Sequence, residues 1–332
     1  MKQQQSESHT VAVTGASGHV GANLIRALLA DGRSVRVLEH KDSRGYEGLD
    51  VQVVEGDVLN EKTLGELVDG VDIVYHLAAK IYLGAGEDKE TENVNVIGTR
   101  NVANACLNNN VKRLIHFSSI HALSPYPKNE IVDEKRNLIT SESAPCYDCS
   151  KAAAEEEIYA AVKRGLDAVV ISPAGIIGPF DFKPSPMGKL LLDLNRLPFF
   201  PLCEGGFYWV DVRDVAAGAI AAEMYGKRGE RYLLAGEWLS LLSIADIVSE
   251  CSSKHTHCFA LPVKLAEIVA FFIEKFGRLT KTSPSFTTAA VHTLQHYRHV
   301  NIEKAKNELG FSPRPIKQTI SDTLSWYREI GK

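Results

Sequence analysis

A tyrosine and a lysine four positions apart are the first residues in the chain that could carry out chemistry. Tyr147 and Lys151 lie in the segment YDCSK, and on a helix this spacing puts both side chains on one face. A free tyrosine has a pKa of about 10, so it is a slow acid and a poor base at neutral pH. A neighbouring ammonium group favours the phenolate and lowers that pKa. The pair is a candidate for proton transfer, and Ser118 or Ser119, at the end of a predicted strand, could hold the substrate oxygen.

The same spacing occurs again at Tyr159 and Lys163, so spacing alone is a weak signal. In a parallel α/β sheet, ligands bind at the carboxyl ends of the strands, where such a helix begins. Tyr159 lies about 18 Å further along the helix axis than Tyr147, given a rise of about 1.5 Å per residue. The first pair is therefore predicted to be chemical, and the second structural.

A glycine-rich turn near the amino terminus is the second candidate. Gly15, Gly18 and Gly21 follow an apolar strand and precede a segment with helical spacing. Gly15 permits a tight turn, Gly18 lets a ligand approach the backbone, and Gly21 lets the helix pack near the strand. The free N–H groups at the helix N-terminus attract anions. The order strand, turn, helix therefore predicts a pyrophosphate site and a dinucleotide ligand.

The end of the second predicted strand bears on which dinucleotide binds. Glu39 lies there, where a carboxylate accepts hydrogen bonds from a ribose and repels a 2′-phosphate, which favours NAD. His40, Lys41 and Arg44 follow closely and could pair with that phosphate, so NADP stays an alternative. Asp57, after the third strand, could reach the adenine or cap the next helix.

The elements that must position these residues alternate along the first half of the chain. Strands are predicted at 10–14, 35–39, 51–55, 73–77, 113–118 and 168–171, and helices at 20–30, 61–69, 92–109 and 147–164. This alternation predicts parallel βαβ units in a doubly wound sheet, an α/β fold. After Pro173 the pattern changes. Residues 178–207 are predicted as loop and short helix over a site, and the rest as helix with a short strand at 231–234.

The composition limits the class of protein. The 332 residues are 45% hydrophobic, enough for one large core or a domain with a smaller lobe. The net charge is −4, without long runs of either sign, which argues against nucleic acid or an anionic membrane as the main partner. Residues 1–9 are polar and are predicted to be a flexible tail rather than a signal peptide. Six scattered cysteines indicate reduced thiols and a cytoplasmic location.

One apolar stretch, at 261–276, bears on contact with membranes. Lys264, Glu267, Glu274 and Lys275 interrupt it. A membrane-spanning helix needs about 20 apolar residues, so no stable membrane insertion is predicted. An amphipathic helix packed on the protein is the preferred interpretation, and attachment to a membrane surface is the alternative.

Two groups of thiols and imidazoles could serve other chemistry. Cys146 and Cys149 flank Tyr147 as a Cys-x-x-Cys pair, which small apolar packing explains better than a redox dithiol. The second group, with residue types that bind metals, lies in a predicted connection, so no metal site is predicted. It consists of Cys251, His255, His257 and Cys258.

Over nearly its whole length the chain resembles an extended short-chain dehydrogenase/reductase, through motifs in that family's order. These motifs are residues 14–21, 56–58, 76–79, 95–99, 117–119, 147–151 and 172–179. Within the family, the chain is similar to the dihydroflavonol-4-reductase-like and 3β-hydroxysteroid dehydrogenase-like branch. In that branch it most resembles the hopanoid-associated sugar epimerase group, through residues 183–189 and 229–232.

The resemblance implies an NAD(P)-binding Rossmann fold with a smaller, helix-rich C-terminal substrate lobe. The cofactor domain is expected at 10–175 with 208–235, and the lobe at 176–207 and 236–332. Ser119 is implied to orient the substrate, Tyr147 to act as acid or base, and Lys151 to hold the ribose and lower the pKa of Tyr147. The expected cofactor-binding residues are Gly15, Ser17, Gly18, His19, Val20, Gly21, Glu39, Asp57, Val58, Leu77, Ala78, Ala79, Lys151, Pro173 and Ile176. A homodimer through the helices at 92–109 and 147–164 is also implied.

Two departures from the family pattern bear on the substrate. Ser119 is followed by IHALS instead of a Val-Tyr-Gly-like turn, and Phe207 and Tyr208 stand where nucleotide-sugar members carry a diphosphate-binding arginine. The chain is therefore predicted to be an NAD(P)-dependent oxidoreductase acting on the carbonyl or secondary alcohol of a small, partly apolar substrate. The alternative is an NAD-dependent epimerase or dehydratase of a sugar-like substrate. Candidate substrate contacts are His121, Phe180, Phe182 and Tyr208.

Overall fold

The computed structural model describes residues 10–82, 84, 87–128, 130–140, 144–252, 256–280, 287–296 and 299–332. The predicted tail at 1–9 lies outside the described residues. The strands are β1 Thr10–Thr14, β2 Ser34–Glu39, β3 Gln52–Glu55, β4 Ile73–His76, β5 Arg113–Phe117, β6 Ala168–Pro173, β7 Gly175–Ile177, β8 Phe199–Cys203, β9 Gly206–Asp211, β10 Arg231–Leu234, β11 Glu237–Ser240 and β12 His257–Leu261. The helices are α1 His19–Ala30, α2 Glu61–Val68, α3 Lys89–Glu92, α4 Gly98–Asn108, α5 Cys146–Lys163, α6 Pro186–Arg196, α7 Val212–Tyr225, α8 Leu241–Cys251, α9 Val263–Thr280, α10 Thr288–Thr293, α11 Glu303–Leu309 and α12 Ile316–Glu329.

A seven-stranded parallel sheet forms the centre of the fold, in the order β10-β6-β5-β4-β1-β2-β3. The strand order reverses between β1 and β4. In open α/β sheets this reversal opens a crevice at the carboxyl ends of the strands, where ligands bind. The predicted doubly wound α/β fold is confirmed.

Helices cover both faces of this sheet, which explains why its strands read as continuous apolar runs. On one face, Leu24 and Ile25 of α1 pack in the same buried cluster as Val215 of α7. On the other face, Leu64 of α2 and Ile158 of α5 belong to a second cluster. Each fully buried aliphatic side chain contributes about 1.5–3 kcal/mol, so these two clusters fix the strands and the loops that leave them.

The helix predicted at 92–109 is interrupted near its start. The structure has the short helix α3, a π-helical turn at Asn93–Ile97, and then α4. A π-turn inserts one residue into the helical repeat and is often found at functional sites. Here the turn carries Asn95, which is buried.

The region after Pro173 contains more regular structure than predicted. A three-stranded sheet has the order β11-β9-β7, and a two-stranded parallel sheet joins β12 to β8. The prediction of loop and short helix at 178–207 is wrong in part, because α6, β8 and the start of β9 lie there. Leu191 of α6, Trp209 of β9 and Ile244 of α8 share one buried cluster beneath these strands.

The apolar stretch at 261–276 forms α9. Among its residues 263–276, whose side chains the structure describes, the large apolar groups lie mostly on the exposed side, and the small Ala266 and Ala270 are fully buried. Burial of the apolar face, which the amphipathic interpretation implies, is therefore not observed. Among the described residues, no helix has both the length and the apolar character needed to span a membrane.

Candidate active site

The glycine-rich turn joins β1 to α1 at the carboxyl edge of the sheet. Gly15 has a φ of +72°, and a Cβ there would lie 2.6 Å from the Ala78 nitrogen, closer than real Cβ contacts. A Cβ on Gly21 would lie 2.3 Å from the Gly15 carbonyl oxygen. Because glycine has no Cβ, the turn can pack closely against the end of β4 and against α1.

The start of α1 leaves donors free for an anion. Gly18 occupies the N-cap without a side chain to cap the helix, and the first turn carries no acidic residue. The free N–H groups and the positive end of the helix dipole suit the two phosphates of a dinucleotide. Ser17 and Val20 lie in the turn and at the start of α1.

His19 contacts the protein itself. Its Nε2 lies 3.1 Å from the carbonyl oxygens of both Gly178 and Pro179. Asn23 Nδ2, one helical turn later, donates to the same Pro179 oxygen at 2.9 Å. These bonds tie the glycine-rich turn to the segment that follows β7. His19 therefore holds the predicted pyrophosphate site at a fixed distance from that segment.

A chain of hydrogen bonds holds the segment after β4 against the turn. Thr14 Oγ1 lies 2.7 Å from His76 Nδ1 and accepts a hydrogen bond from the Ala78 nitrogen at 3.2 Å. His76 Nε2 lies 2.9 Å from Thr99 Oγ1 in α4. Burial, and then the charge of Lys151, lower the pKa of His76 to about 3, so this imidazole stays neutral. Leu77, Ala78 and Ala79 are thereby presented beside Gly15.

A cavity of about 560 Å³ opens beyond the turn, at the ends of β2 and β3. Its lining residues are Glu39, His40, Glu55, Gly56, Asp57, Asn60 and Thr63. The Glu39 carboxylate accepts a hydrogen bond from the Tyr46 hydroxyl, and Asp57 accepts one from the Leu59 nitrogen at 2.9 Å. The space and its carboxylates suit an adenosine, whose ribose hydroxyls and amino group are hydrogen-bond donors. Val58 is buried and would meet a Cβ at Gly98 of α4 at 2.6 Å.

Two of the three basic residues that could bind a 2′-phosphate, Arg44 and His40, have acidic partners. Arg44 donates two hydrogen bonds to Asp42, at 2.8 and 2.7 Å. His40 Nε2 lies 3.2 Å from Asp57 Oδ2. These pairs lower the positive charge available beside Glu39.

Ser119 and Tyr147 meet where β5 ends and α5 begins. The tyrosine hydroxyl is hydrogen-bonded to Ser119, whose Oγ also accepts from the His121 nitrogen at 3.2 Å. The His121 ring stands edge-on to the Tyr147 ring, with centroids 6.4 Å apart. Burial, followed by the charge of Asp148, raises the pKa of Tyr147 to about 12, against the lowering effect of Ser119. Lys151 is not among the causes of this shift, so the expected lowering of the pKa by Lys151 is not seen.

Lys151 lies one helical turn beyond Tyr147 and is buried. Its Nζ donates to the Phe117 carbonyl oxygen at 2.5 Å. Burial lowers the pKa of Lys151 to about 8, although the charge of Glu155 opposes this shift. The lysine therefore bridges α5 to the end of β5, the strand that both serines directly follow.

The hydroxyl of Ser118 is bound to a buried carboxylate, which distinguishes Ser118 from Ser119. Its Oγ donates to Glu155 Oε2 at 2.7 Å, and Arg231 of β10 donates to Glu155 Oε1 at 2.5 Å. Tyr159, the second tyrosine with a lysine four residues on, donates to the same Oε1 at 2.7 Å. Tyr159 is thus accounted for by structure, and the geometry favours Ser119 as the serine that faces a substrate.

Three residues that help to hold the site together were not selected from the sequence as site residues. They are Asn95, Glu155 and Arg231. Asn95 Nδ2 donates to Ser150 Oγ at 2.9 Å and to the Lys80 carbonyl at 3.0 Å, and its Oδ1 accepts from the Lys80 nitrogen at 2.7 Å. It thereby fixes α5 to the loop after β4. The motif at 95–99 was the only available signal for it.

The four candidate substrate contacts fall into two groups. Phe180 and Phe182 pack against Trp326, at 5.8 and 5.2 Å between ring centroids, and Arg26 lies 4.2 Å over the Phe180 ring. This packing favours a structural role for both. His121 lies beside Tyr147, and Tyr208 lies half-buried on β9. Pro173 ends β6 and Ile176 lies in β7, at the same edge of the main sheet as the serines.

The two groups of thiols and imidazoles lie in different parts of the described structure. Cys146 and Cys149 form no disulfide, and their sulfurs point to different carbonyls, at 4.0 Å from Asp88 and 3.8 Å from Ala144. Of the four residues considered as metal ligands, Cys251 ends α8 and His257 and Cys258 lie in β12. His255 lies outside the described residues.

The sheet order, the glycine-rich turn and the Ser–Tyr–Lys arrangement define a class, the dinucleotide-dependent oxidoreductases of the short-chain type. A family model described as NAD dependent epimerase/dehydratase family matches residues 11–235. The chain belongs to this family and is an NAD(P)-dependent enzyme of the extended short-chain dehydrogenase/reductase type.

Individual relatives confirm the family and the branch that were predicted. The chain is 32% identical to sterol demethylase protein B of Methylococcus capsulatus, over 97% of this chain and 99% of that protein. It is 30% identical to a 4-hydroxy-2-methyl-3-oxo-4-farnesyl-3,4-dihydroquinoline-1-oxide ketoreductase of Stigmatella aurantiaca, over 94% of each chain. Among solved structures, gox2253 is 31% identical with a TM-score of 0.83, over 98% of this chain and 99% of that chain.

Proposed function

We propose that this enzyme reduces a ketone or aldehyde, or oxidises the matching secondary alcohol, on a small and partly apolar substrate. Bound NADH supplies the hydride. Ser119 holds the substrate oxygen, Tyr147 donates the proton to it, and Lys151 holds ribose hydroxyls. The observation that carries this proposal is the hydrogen bond between Tyr147 and Ser119 at the edge of the sheet that carries the glycine-rich turn.

The protonation state of Tyr147 supports the reductive direction. With a pKa of about 12, the phenol keeps its proton at neutral pH. A protonated phenol is the form that donates to a carbonyl oxygen as it gains negative charge. Asn95 and Lys151 hold the first two turns of α5 in place, so the donor is positioned before a substrate arrives.

An apolar substrate is supported by the residue types at two positions of β9. Phe207 and Tyr208 occupy the place of the arginine that binds a nucleotide diphosphate in similar sequences. The names of two relatives, at 32% and 30% identity, indicate action on a sterol and on a farnesylated ketone. We propose that His121 and Tyr208 contact the substrate, and that Phe180 and Phe182 support the pocket from outside.

The function is tested by incubating the purified protein with NADH and a panel of apolar ketones and aldehydes. We expect NADH absorbance to fall in proportion to the alcohol formed. The proposal is contradicted if the panel consumes no NADH while NAD⁺ stays bound through purification and a sugar nucleotide is converted. That result would establish a closed redox cycle, as in an epimerase or dehydratase.

NAD is the cofactor we propose, because Glu39 faces the cavity while Arg44 and His40 are paired with carboxylates. Replacing Glu39 with Gln removes a charge that repels a 2′-phosphate but keeps an acceptor for Tyr46. We expect the ratio of kcat/KM for NADPH to that for NADH to rise about tenfold or more. Steady-state kinetics with both cofactors measures this ratio.

The matched control is Glu47→Gln, which removes the same charge from an exposed position outside the cavity lining. It is expected to leave the ratio unchanged. Equal shifts in the two variants, or a wild-type enzyme that prefers NADPH, would contradict the assignment of NAD.

We propose that residues 10–175 with 208–235 hold the cofactor and that 176–207 and 236–332 form the substrate lobe, with β9 at the boundary. The family resemblance supports a homodimer through α4 and α5. The six cysteines form no disulfide, which supports a reducing compartment such as the cytoplasm.

A further inference from the structure

Helix α9 turns its apolar face away from the protein. Ala266 and Ala270 are fully buried, whereas Ile268, Phe272 and Phe276 are 55%, 64% and 67% exposed. Large apolar residues normally occupy the buried side of a surface helix. Leu265 is exposed as well, and its spacing of three residues to Ile268, then four and four, puts all of them on one stripe.

The acidic and the basic side chains of α9 lie on different sides of the helix. Glu274 Oε1 accepts hydrogen bonds from the nitrogen and the hydroxyl of Thr288, at 2.6 and 2.9 Å. Glu267 Oε1 lies 3.6 Å from Nε2 of His292, so both carboxylates face α10. Lys264 and Lys275 are exposed beside the apolar stripe. The outer side of Val263–Phe276 therefore combines large apolar groups with positive charge.

The strand pair before α9 also exposes large apolar side chains. On the outward side of the β8–β12 pair, Phe199 and Phe259 are exposed, and Pro262 alone separates β12 from α9. The rings of Phe271 and Phe272 lie 5.8 Å apart, and Lys275 Nζ lies 4.7 Å over the Phe271 ring. The ammonium group of this exposed lysine therefore lies against an aromatic face beside the apolar stripe, in a cation–π contact.

We propose that α9 binds the enzyme to the surface of an anionic lipid bilayer, with its axis in the plane of the headgroups. An interfacial helix of this kind inserts its apolar side by about 5–10 Å while lysines contact the anionic headgroups. The net charge of −4 argues against an anionic membrane as the main partner of the whole surface, but it does not prevent binding through α9. The lysines of α9 act locally, because exposed charges beyond a Debye length of about 8–10 Å are screened. The family resemblance puts the dimer interface on α4 and α5, so a second copy is not needed to cover α9.

The test is sedimentation of the full-length protein with vesicles of phosphatidylcholine, with and without phosphatidylglycerol. We expect binding to the mixed vesicles that falls as salt is raised, and weaker binding to phosphatidylcholine alone. The double variant Ile268→Gln/Phe272→Gln should lower binding to mixed vesicles about tenfold or more, since it removes two inserted side chains. Lys264→Glu/Lys275→Glu should abolish the preference for phosphatidylglycerol.

The matched control is Met224→Gln/Tyr225→Gln, which replaces two exposed apolar residues at the end of α7 and should bind as wild type. Because every replaced side chain is exposed, the thermal midpoint of each variant should match that of the wild type, which a melting curve verifies. The proposal fails if wild-type protein binds neither vesicle, or if Ile268→Gln/Phe272→Gln binds as wild type. It also fails if sedimentation velocity shows that this double variant converts a dimer to a monomer, because the face would then belong to a second copy.

Discussion

Tyr147→Phe is expected to lower kcat by about 10²–10⁴-fold while NADH still binds, because general acid catalysis by a positioned side chain contributes about that factor. The change removes one hydroxyl, the group that is hydrogen-bonded to Ser119. The ring, its edge-on contact with His121 and the fold of α5 are retained. Steady-state kinetics gives kcat, and quenching of protein fluorescence by NADH gives the dissociation constant of the cofactor.

The chain contains its own control for this variant. Tyr159 has the same four-residue spacing to a lysine, but its hydroxyl donates to Glu155. Tyr159→Phe should keep turnover and lose about 1 kcal/mol of stability, the usual net value of one hydrogen bond. The proposed mechanism is wrong if Tyr147→Phe retains wild-type turnover, or if both variants lose activity to the same extent.

Glu155→Leu is expected to destabilise the protein by about 3–5 kcal/mol, because it leaves the buried Arg231 guanidinium without its carboxylate. Glu155 is fully buried and Arg231 is 7% exposed. Arg231 keeps hydrogen bonds to the carbonyls of Glu134 and Arg136, at 3.1 and 3.2 Å, but these groups do not balance its charge. Urea denaturation measures the free energy of unfolding from the midpoint and the m-value.

A double variant separates the cost of an unpaired charge from the loss of packing. Glu155→Leu/Arg231→Leu should recover part of the stability, since a buried ion pair can often be replaced by apolar residues at little cost. A double variant that is less stable than Glu155→Leu would contradict this explanation, as would a loss below about 1 kcal/mol in the single variant.

Much of the cofactor half of the fold could be predicted because local sequence specifies it. The strands β1, β4 and β5 are short apolar runs, and the predicted bounds differ from the observed ones by one residue at most. Gly15 could be assigned a turn because a residue without Cβ tolerates a positive φ at little cost. The serine, tyrosine and lysine could be selected because their chemistry depends on residue type and spacing.

The missed features depend on partners that are distant in sequence. Strands β8 and β12 pair across more than fifty residues, and neither carries a strict alternation of buried and exposed positions. The π-turn at Asn93–Ile97 has no distinctive residue. The exposed side of α9 was missed because helical periodicity defines an apolar face but not whether that face points inward.

The contact between Glu155 and Arg231 also has a consequence for the order in which the enzyme is assembled during synthesis. The two residues are separated by 76 positions, and β10 is the edge strand of the main sheet. While a ribosome is still making residues 156–230, α5 carries a carboxylate whose cationic partner does not yet exist. We therefore expect α5 to dock stably against the end of β5 only after β10 has emerged, so that Ser119 and Tyr147, the proposed catalytic pair, reach their final positions late. A nascent chain that ends before residue 231 would contain the glycine-rich turn, but Tyr147, the proposed acid, would not yet be held in its final position.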